Sequence, residues 1–144
     1  MPNPAVQLIA GGTIYPSRFI TPDTSDDHEA IQATANAIII GVSGQGTNYP
    51  PIDEIITDPQ PHATIGQHVE VISDGDICIL EAGSAITMAN PRLKADSVGR
   101  AVPIETTGTT IQNYGAIALE AASAAGEKIR VLVTTCRETR PALA

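Results

Sequence analysis

YGAIALEAASAAGEKIRVLV, residues 114 to 133, is the stretch whose reading decides the fold. By propensity, Ile117 to Ala125 is an alanine-rich helix closed by Gly126, with Asn113 as a distant N-cap. By period it is a hairpin. Ile117 and Leu119 alternate with Ala116, Ala118 and Glu120, and Ile129, Val131 and Val133 alternate with Lys128 and Arg130, so each strand gains one apolar and one polar face. A helix sets Ile117 and Leu119 nearly opposite one another and offers the core a stripe of Ile117, Ala121, Ala124 and Ala125. A buried alanine methyl contributes only about 0.8 kcal/mol, which makes that stripe a poor anchor. The period predicts a hairpin, with Ile117 and Leu119 inward and Ala121 to Ala125 as its loop.

The chain of 144 residues fits one domain, long enough to bury roughly two thirds of the surface its unfolded form exposes. Its two cysteines, Cys78 and Cys136, are too few for a disulfide framework and sit in apolar, strand-like sequence, as buried free thiols do. No charged-then-apolar leader opens the sequence, and no apolar run approaches the roughly 20 residues that span a bilayer. The expectation is a protein made in the cytoplasm, or carried in a particle assembled there, with no membrane partner. A net charge of −8 argues against a sequence-independent nucleic-acid binder. The charge is uneven: Met1 to Pro91 holds eleven acids and one basic residue, Arg18, whereas Arg92 onward holds seven basic residues and five acids. Such polarity suits a solvated surface, head-to-tail docking of copies, or attachment to a basic surface.

Met1-Pro2-Asn3-Pro4 reads as an extended arm and Val6 to Ala10 as the first strand. Phe19, the only phenylalanine in a chain without tryptophan, is a core candidate. Glu29 to Thr34, Ala35-Asn36 and Ala37 to Val42 read as strand, turn, strand. Gly41-Val42-Ser43-Gly44-Gln45-Gly46 resembles a phosphate loop or a nucleophile elbow only superficially. No helix-forming sequence follows it, and Gln45 stands where an elbow needs glycine, so a surface loop is expected. Asn48 to Pro61 holds four prolines and is a long irregular connection, with room for one helical turn over Ile52 to Ile56. Asp74-Gly75, between Val69–Ser73 and Asp76–Leu80, predicts a tight hairpin. Asp96-Ser97-Val98-Gly99 is a further turn, and Arg137 to Ala144 reads as a basic, proline-interrupted arm. Turn signals at short intervals with little helix describe a mainly β protein, a small β-sandwich or barrel-like domain over 1–144 with extended N- and C-terminal arms at about 1–5 and 137–144.

Chemistry is sparse. His28, His62 and His68, even with Cys78, lack any paired metal-ligand spacing, so neither a metal nor another cofactor is expected. The glycine-rich phosphate motifs of small trimeric nucleotide hydrolases do not occur, and nothing in the residues supports an enzyme.

The order Tyr15-Pro16-Ser17-Arg18-Phe19-Ile20, Gln32-Ala33-Thr34-Ala35, Ile40 to Thr47, Gly75 to Leu80, Leu93 to Val102, Tyr114 to Glu120 and Gly126 to Val133 resembles the head decoration, or capsid cement, proteins of tailed bacteriophages. Thr87 to Pro91 departs from that pattern, which has a glycine-aspartate turn there. The resemblance implies a non-enzymatic β-rich protein that binds the outside of an expanded capsid. Its partners would be the major capsid protein and further copies of itself, as a trimer by preference or a dimer. Candidate capsid or subunit contacts are Pro2, Pro4, Tyr15, Arg18, Arg100, Arg137 and Arg140. An adhesive virion-surface module, with Asn48 to Pro61 as its contact, and a small all-β hydrolase are the alternatives.

Overall fold

A computed structural model describes residues 8–25, 28–35, 37–44, 62–105 and 112–139. Eleven strands follow in chain order: β1 (Leu8–Ala10), β2 (Phe19–Pro22), β3 (Glu29–Gln32), β4 (Gly41–Ser43), β5 (His68–Val69), β6 (Val71–Ile72), β7 (Ile77–Glu81), β8 (Arg92–Ala95), β9 (Ala101–Pro103), β10 (Gln112–Ala118) and β11 (Lys128–Thr139). Among the described residues there is no helix. The mainly β expectation holds.

The strands form a six-stranded sheet, β5-β1-β3-β2-β4-β6, and a five-stranded antiparallel sheet, β7-β11-β10-β8-β9. The first cannot be flat. Its outermost strands, β5 and β6, are separated in sequence only by Glu70. Six strands laid side by side would hold those edges roughly 24 Å apart, and one residue reaches only about 3.6 Å. The sheet therefore curls into a nearly closed barrel. Glu70 sits at the seam, where its N–H is accepted by His62 Nε2 at 3.0 Å and its carbonyl accepts Gly44 N–H at 3.0 Å. His62 is buried and thereby satisfies a backbone donor that has no ladder to join.

Among the described residues, two clusters form the core. Ala10, Ile14, Ile20, Ala30, Ala63 and Val69 pack within the barrel. A larger cluster joins Phe19, Ala33, Ile39 and Val42 of the barrel to Leu80, Leu93, Ala116, Ala118, Ile129, Val131 and Val133 of the five-stranded sheet. Phe19, wholly buried, is the core residue its sequence suggested.

The Tyr114–Val133 stretch is the predicted hairpin. β10 and β11 pair antiparallel, with Ala116 opposite Val133, Ile117 opposite Leu132 and Ala118 opposite Val131. Ala121 to Ala125 forms loop, not helix, and Glu127 Oε2 holds it by accepting the Ser123 and Ala124 N–H groups at 2.7 Å and the Ser123 hydroxyl. Those bonds hold the Glu127 carboxyl below the usual carboxylate range, the Ser123 hydroxyl being the largest cause.

The faces of β10 are the reverse of the expectation. Ala116 and Ala118 are buried, whereas Leu119 is 45% exposed and Ile117 is half-buried. The cause is the space between the layers. A Cβ at Gly115 would lie 2.6 Å from Ile39 Cγ2 and 2.9 Å from Phe19 Cε1, so the large side chains come from the barrel and β10 answers with glycine and alanine. Ile117 lies instead in an outer row with Leu132 of β11 and Ile77 of β7. On β11 the expected alternation is correct: Ile129, Val131 and Val133 are buried and Arg130 is exposed.

Three further expectations change. Asp74-Gly75 does turn the chain, with Gly75 at φ 93°, but it passes from β6 in the barrel to β7 in the other sheet. The left-handed glycine supplies the turn in either case. Pairing is decided by burial, since Cys78 and Leu80 face the inter-sheet core when β7 lies against β11. The segments read as strand, turn, strand around Ala35-Asn36 do not pair with each other, because β2 lies between β3 and β4. Gly41 to Ser43 is buried strand β4, not surface loop. A Cβ at Gly41 would lie 2.5 Å from the Ile72 carbonyl oxygen, so glycine there lets β6 close the barrel. At the other end, β11 runs on to Thr139, through the first residues of the expected C-terminal arm.

Burial against the core pushes the Cys78 thiol up to about 11 from 9.0, with Asp76 adding a smaller push. The folded protein should therefore resist alkylation at Cys78 at pH 8, and mass-resolved labelling should show full modification only after unfolding. Because the folded value is the higher, the thiol's contribution to stability is complete below pH 9.0 and declines as the pH rises toward 11. Rapid native labelling of Cys78 would contradict its placement.

Candidate functional site

Three of the residues singled out in the sequence meet at the junction between barrel and sheet. The Tyr15–Arg18 turn leads into β2, with Pro16 presetting one backbone angle and Ser17 held at φ 58°, a left-handed conformation uncommon outside glycine. Ser43 fixes the turn from β4: its hydroxyl donates to the Tyr15 carbonyl at 2.7 Å and accepts Arg18 N–H at 3.0 Å. On the other side, Glu81 N–H of β7 donates to the Ser17 carbonyl at 3.0 Å.

Arg18 then reaches across to the five-stranded sheet. Nη1 donates to the Val98 carbonyl at 2.9 Å, Nη2 meets Glu81 Oε2 at 3.3 Å, and the guanidinium lies 5.6 Å from the centre of the Tyr15 ring. The pair is well shielded, with side-chain exposures of 15% for Arg18 and 19% for Glu81. Arg18 Nε and Ser17 Oγ are buried without a hydrogen-bond partner.

The β8–β9 turn supplies the remaining wall. Asp96 Oδ1 accepts the Val98 and Arg100 N–H groups, both at 2.9 Å, and Oδ2 accepts Arg100 Nε at 3.2 Å. Gly99, at φ 78°, directs its carbonyl to Phe19 N–H at 2.8 Å, which stitches the turn to β2. Gln32 of β3 accepts Tyr15 N–H on its Oε1 at 2.9 Å. Tyr15, Arg18, Gln32, Val98 and Arg100 line a solvent-facing cleft of about 400 Å³. Val98 presents an apolar edge to solvent, and the two arginines are each matched by one carboxylate, Glu81 and Asp96.

Pro2, Pro4 and Arg140 lie outside the described residues, as does the Asn48–Pro61 connection. Arg137 lies in β11. Arg130, on the outer face of the sheet, pairs within the chain with Glu120 at 2.8 Å. Sequence reasoning missed Gln32, Glu81 and Val98 as cleft neighbours. Asp96 stood in a recognised turn, but nothing in the sequence marked Gln32 as facing Tyr15. Among the described residues, no group of three or more His, Cys, Asp or Glu side chains is placed to hold a metal ion. No described helix is long and apolar enough to cross a membrane.

This two-sheet, all-β architecture has a counterpart among solved structures. The head fiber gp8.5 N base in bacteriophage phi29 shares the fold at a TM-score of 0.55 and 17% identity, over 89% of this chain and 91% of that one. At that identity the likeness is one of fold. No protein-family model and no curated protein matches the sequence.

Proposed function

We propose that this chain is a structural protein of the outer surface of a tailed-phage head. It binds the expanded capsid, touches the major capsid protein, and self-associates near the local symmetry axes, as a trimer by preference. The observation that carries this reading is the fold shared with the phi29 head fiber base along nearly the whole of both chains. The ordered sequence resemblance to head decoration proteins points the same way. Physical chemistry suits the role: a ligand that binds only the mature lattice stabilises that lattice by mass action, and many copies on a closed shell couple neighbouring subunits. The outer row of Ile77, Leu132 and Ile117, with Ile77 62% exposed, offers apolar surface for such contacts.

A second reading follows from the solved counterpart being a fiber base: the domain anchors a projecting element and leaves shell strength unchanged. Co-sedimentation of the purified protein with expanded and unexpanded empty shells tests the shared claim, which predicts saturable binding to the expanded form alone. Heating filled heads separates the two readings. A cement raises the temperature of DNA release, and an anchor leaves it where it was. Absence of binding to either shell would overturn both.

A further inference from the structure

We propose that the Tyr15–Arg18–Arg100 cleft is a carboxylate-binding site. The lining holds unused hydrogen-bonding groups. Gln32 spends its acceptor, Oε1, on Tyr15 N–H, which leaves the amide NH₂. Arg100 spends Nε on Asp96, which leaves its two terminal nitrogens. Arg18 gives one N–H of each terminal nitrogen to Val98 and Glu81, which leaves the second N–H of each; its Nε is buried without a partner, out of a ligand's direct reach. Tyr15, whose side chain ends in a hydroxyl, lines the same cleft. What these four side chains have left to offer is almost wholly donor, and a ligand that complements them is rich in acceptors and negatively charged.

The scaffold is built to hold that arrangement. Ser17 is kept at φ 58° beside the cleft with its own hydroxyl buried and unpartnered, a strained position fixed by Ser43 and by Glu81 N–H. Asp96 and Glu81 fix the two guanidinium groups and offset their charge, so an isolated monovalent anion gains little at long range. A carboxylate gains from directed hydrogen bonds at contact, with Val98 as an apolar edge for the carbon chain that carries it. The volume of about 400 Å³ accommodates an acidic side chain or a short dicarboxylate. Two sources share this chemistry: a free organic acid, or a glutamate or aspartate on a protein surface.

The test is independent of any phage head. Isotope-labelled protein is titrated with glutarate, with its neutral diamide, and with a short peptide of alternating glutamate and glycine. The arginine Nε–Hε and glutamine side-chain amide signals are followed by NMR. Saturable shifts confined to Arg18, Arg100 and Gln32, given by the carboxylates and not by the diamide, are expected. Arg100→Gln should weaken binding about tenfold and Tyr15→Phe a few-fold, by removal of charged and neutral donors respectively. Arg100→Gln retains the backbone N–H that Asp96 accepts, so the turn survives the change. Tighter binding of the peptide assigns the site to a protein partner, and tighter binding of glutarate assigns it to a small acid. Absence of shifts with both carboxylates, equal shifts with the diamide, or binding unaltered by Arg100→Gln would overturn the proposal.

Discussion

Replacing Phe19 by alanine is expected to cost about 3–5 kcal/mol of folding stability, the range for truncating a fully buried aromatic side chain. Phe19 is the only phenylalanine, has no solvent exposure, and belongs to the cluster that joins barrel to sheet. Ile39 and Gly115 touch the same volume, and the small residues of β10 have no side-chain length with which to refill it. A domain of ordinary stability holds only about 5–15 kcal/mol, so the variant should be marginal. Phe19→Leu, expected to cost far less, provides a folded comparison. Urea unfolding followed by the NMR ring signals of Tyr15 in the barrel and Tyr114 in the sheet should show one shared transition that moves to lower denaturant in Phe19→Ala. A loss below 1 kcal/mol, or a sheet that melts while the barrel persists, would contradict the inter-sheet packing as described.

Gly99→Ala is also expected to be strongly damaging. Gly99 sits at φ 78°, where a Cβ costs about 1–2 kcal/mol by backbone sterics alone. That Cβ would also lie 2.9 Å from Gln32 Cγ, 3.2 Å from the Phe19 carbonyl oxygen and 3.3 Å from the Ala33 carbonyl oxygen. Two of these neighbours are backbone of the barrel, so relief requires the β8–β9 turn to lift from β2. The Gly99 carbonyl bond to Phe19 N–H weakens with it. A total of about 2–3 kcal/mol follows. Gly66 supplies the control: its φ is 88° but nothing lies within 4 Å of its Cβ position, so Gly66→Ala should show the backbone cost alone. Equal losses in the two variants would mean that the turn does not rest on the barrel as closely as the structure has it.

These two positions also show what was legible in the sequence. Phe19 was readable as core from its rarity, and the β10–β11 hairpin from its period, because both signals are local. The inward face of β10 was not readable. Hydrophobicity ranks Ile117 above Ala116, but the choice is made by Phe19 and Ile39, which lie 96 and 76 residues before Gly115 and leave room only for small side chains. The Asp74-Gly75 turn was located correctly and its partners were not, since a left-handed glycine fixes the turn and says nothing of which sheet the outgoing strand joins. Barrel closure through the single residue Glu70 left a similarly faint mark: two-residue strands fall below any period. The candidate site was half legible. Tyr15, Arg18 and Arg100 were picked out one by one, on opposite sides of the chain's shift from acidic to basic. Their meeting depends on Arg18 crossing from barrel to sheet, a long-range contact with no local signature.

Where this domain resides can be seen by imaging. On the proposed reading, purified protein is mixed with expanded, empty heads of its own phage, and the particles are imaged to a resolution at which β-sheets separate. Density for the two-sheet domain is expected on the outside of the shell, repeated at equivalent symmetry positions, at three copies per local threefold site if the trimer is right. Bare shells at saturating protein, or density only on the inner surface, would contradict it.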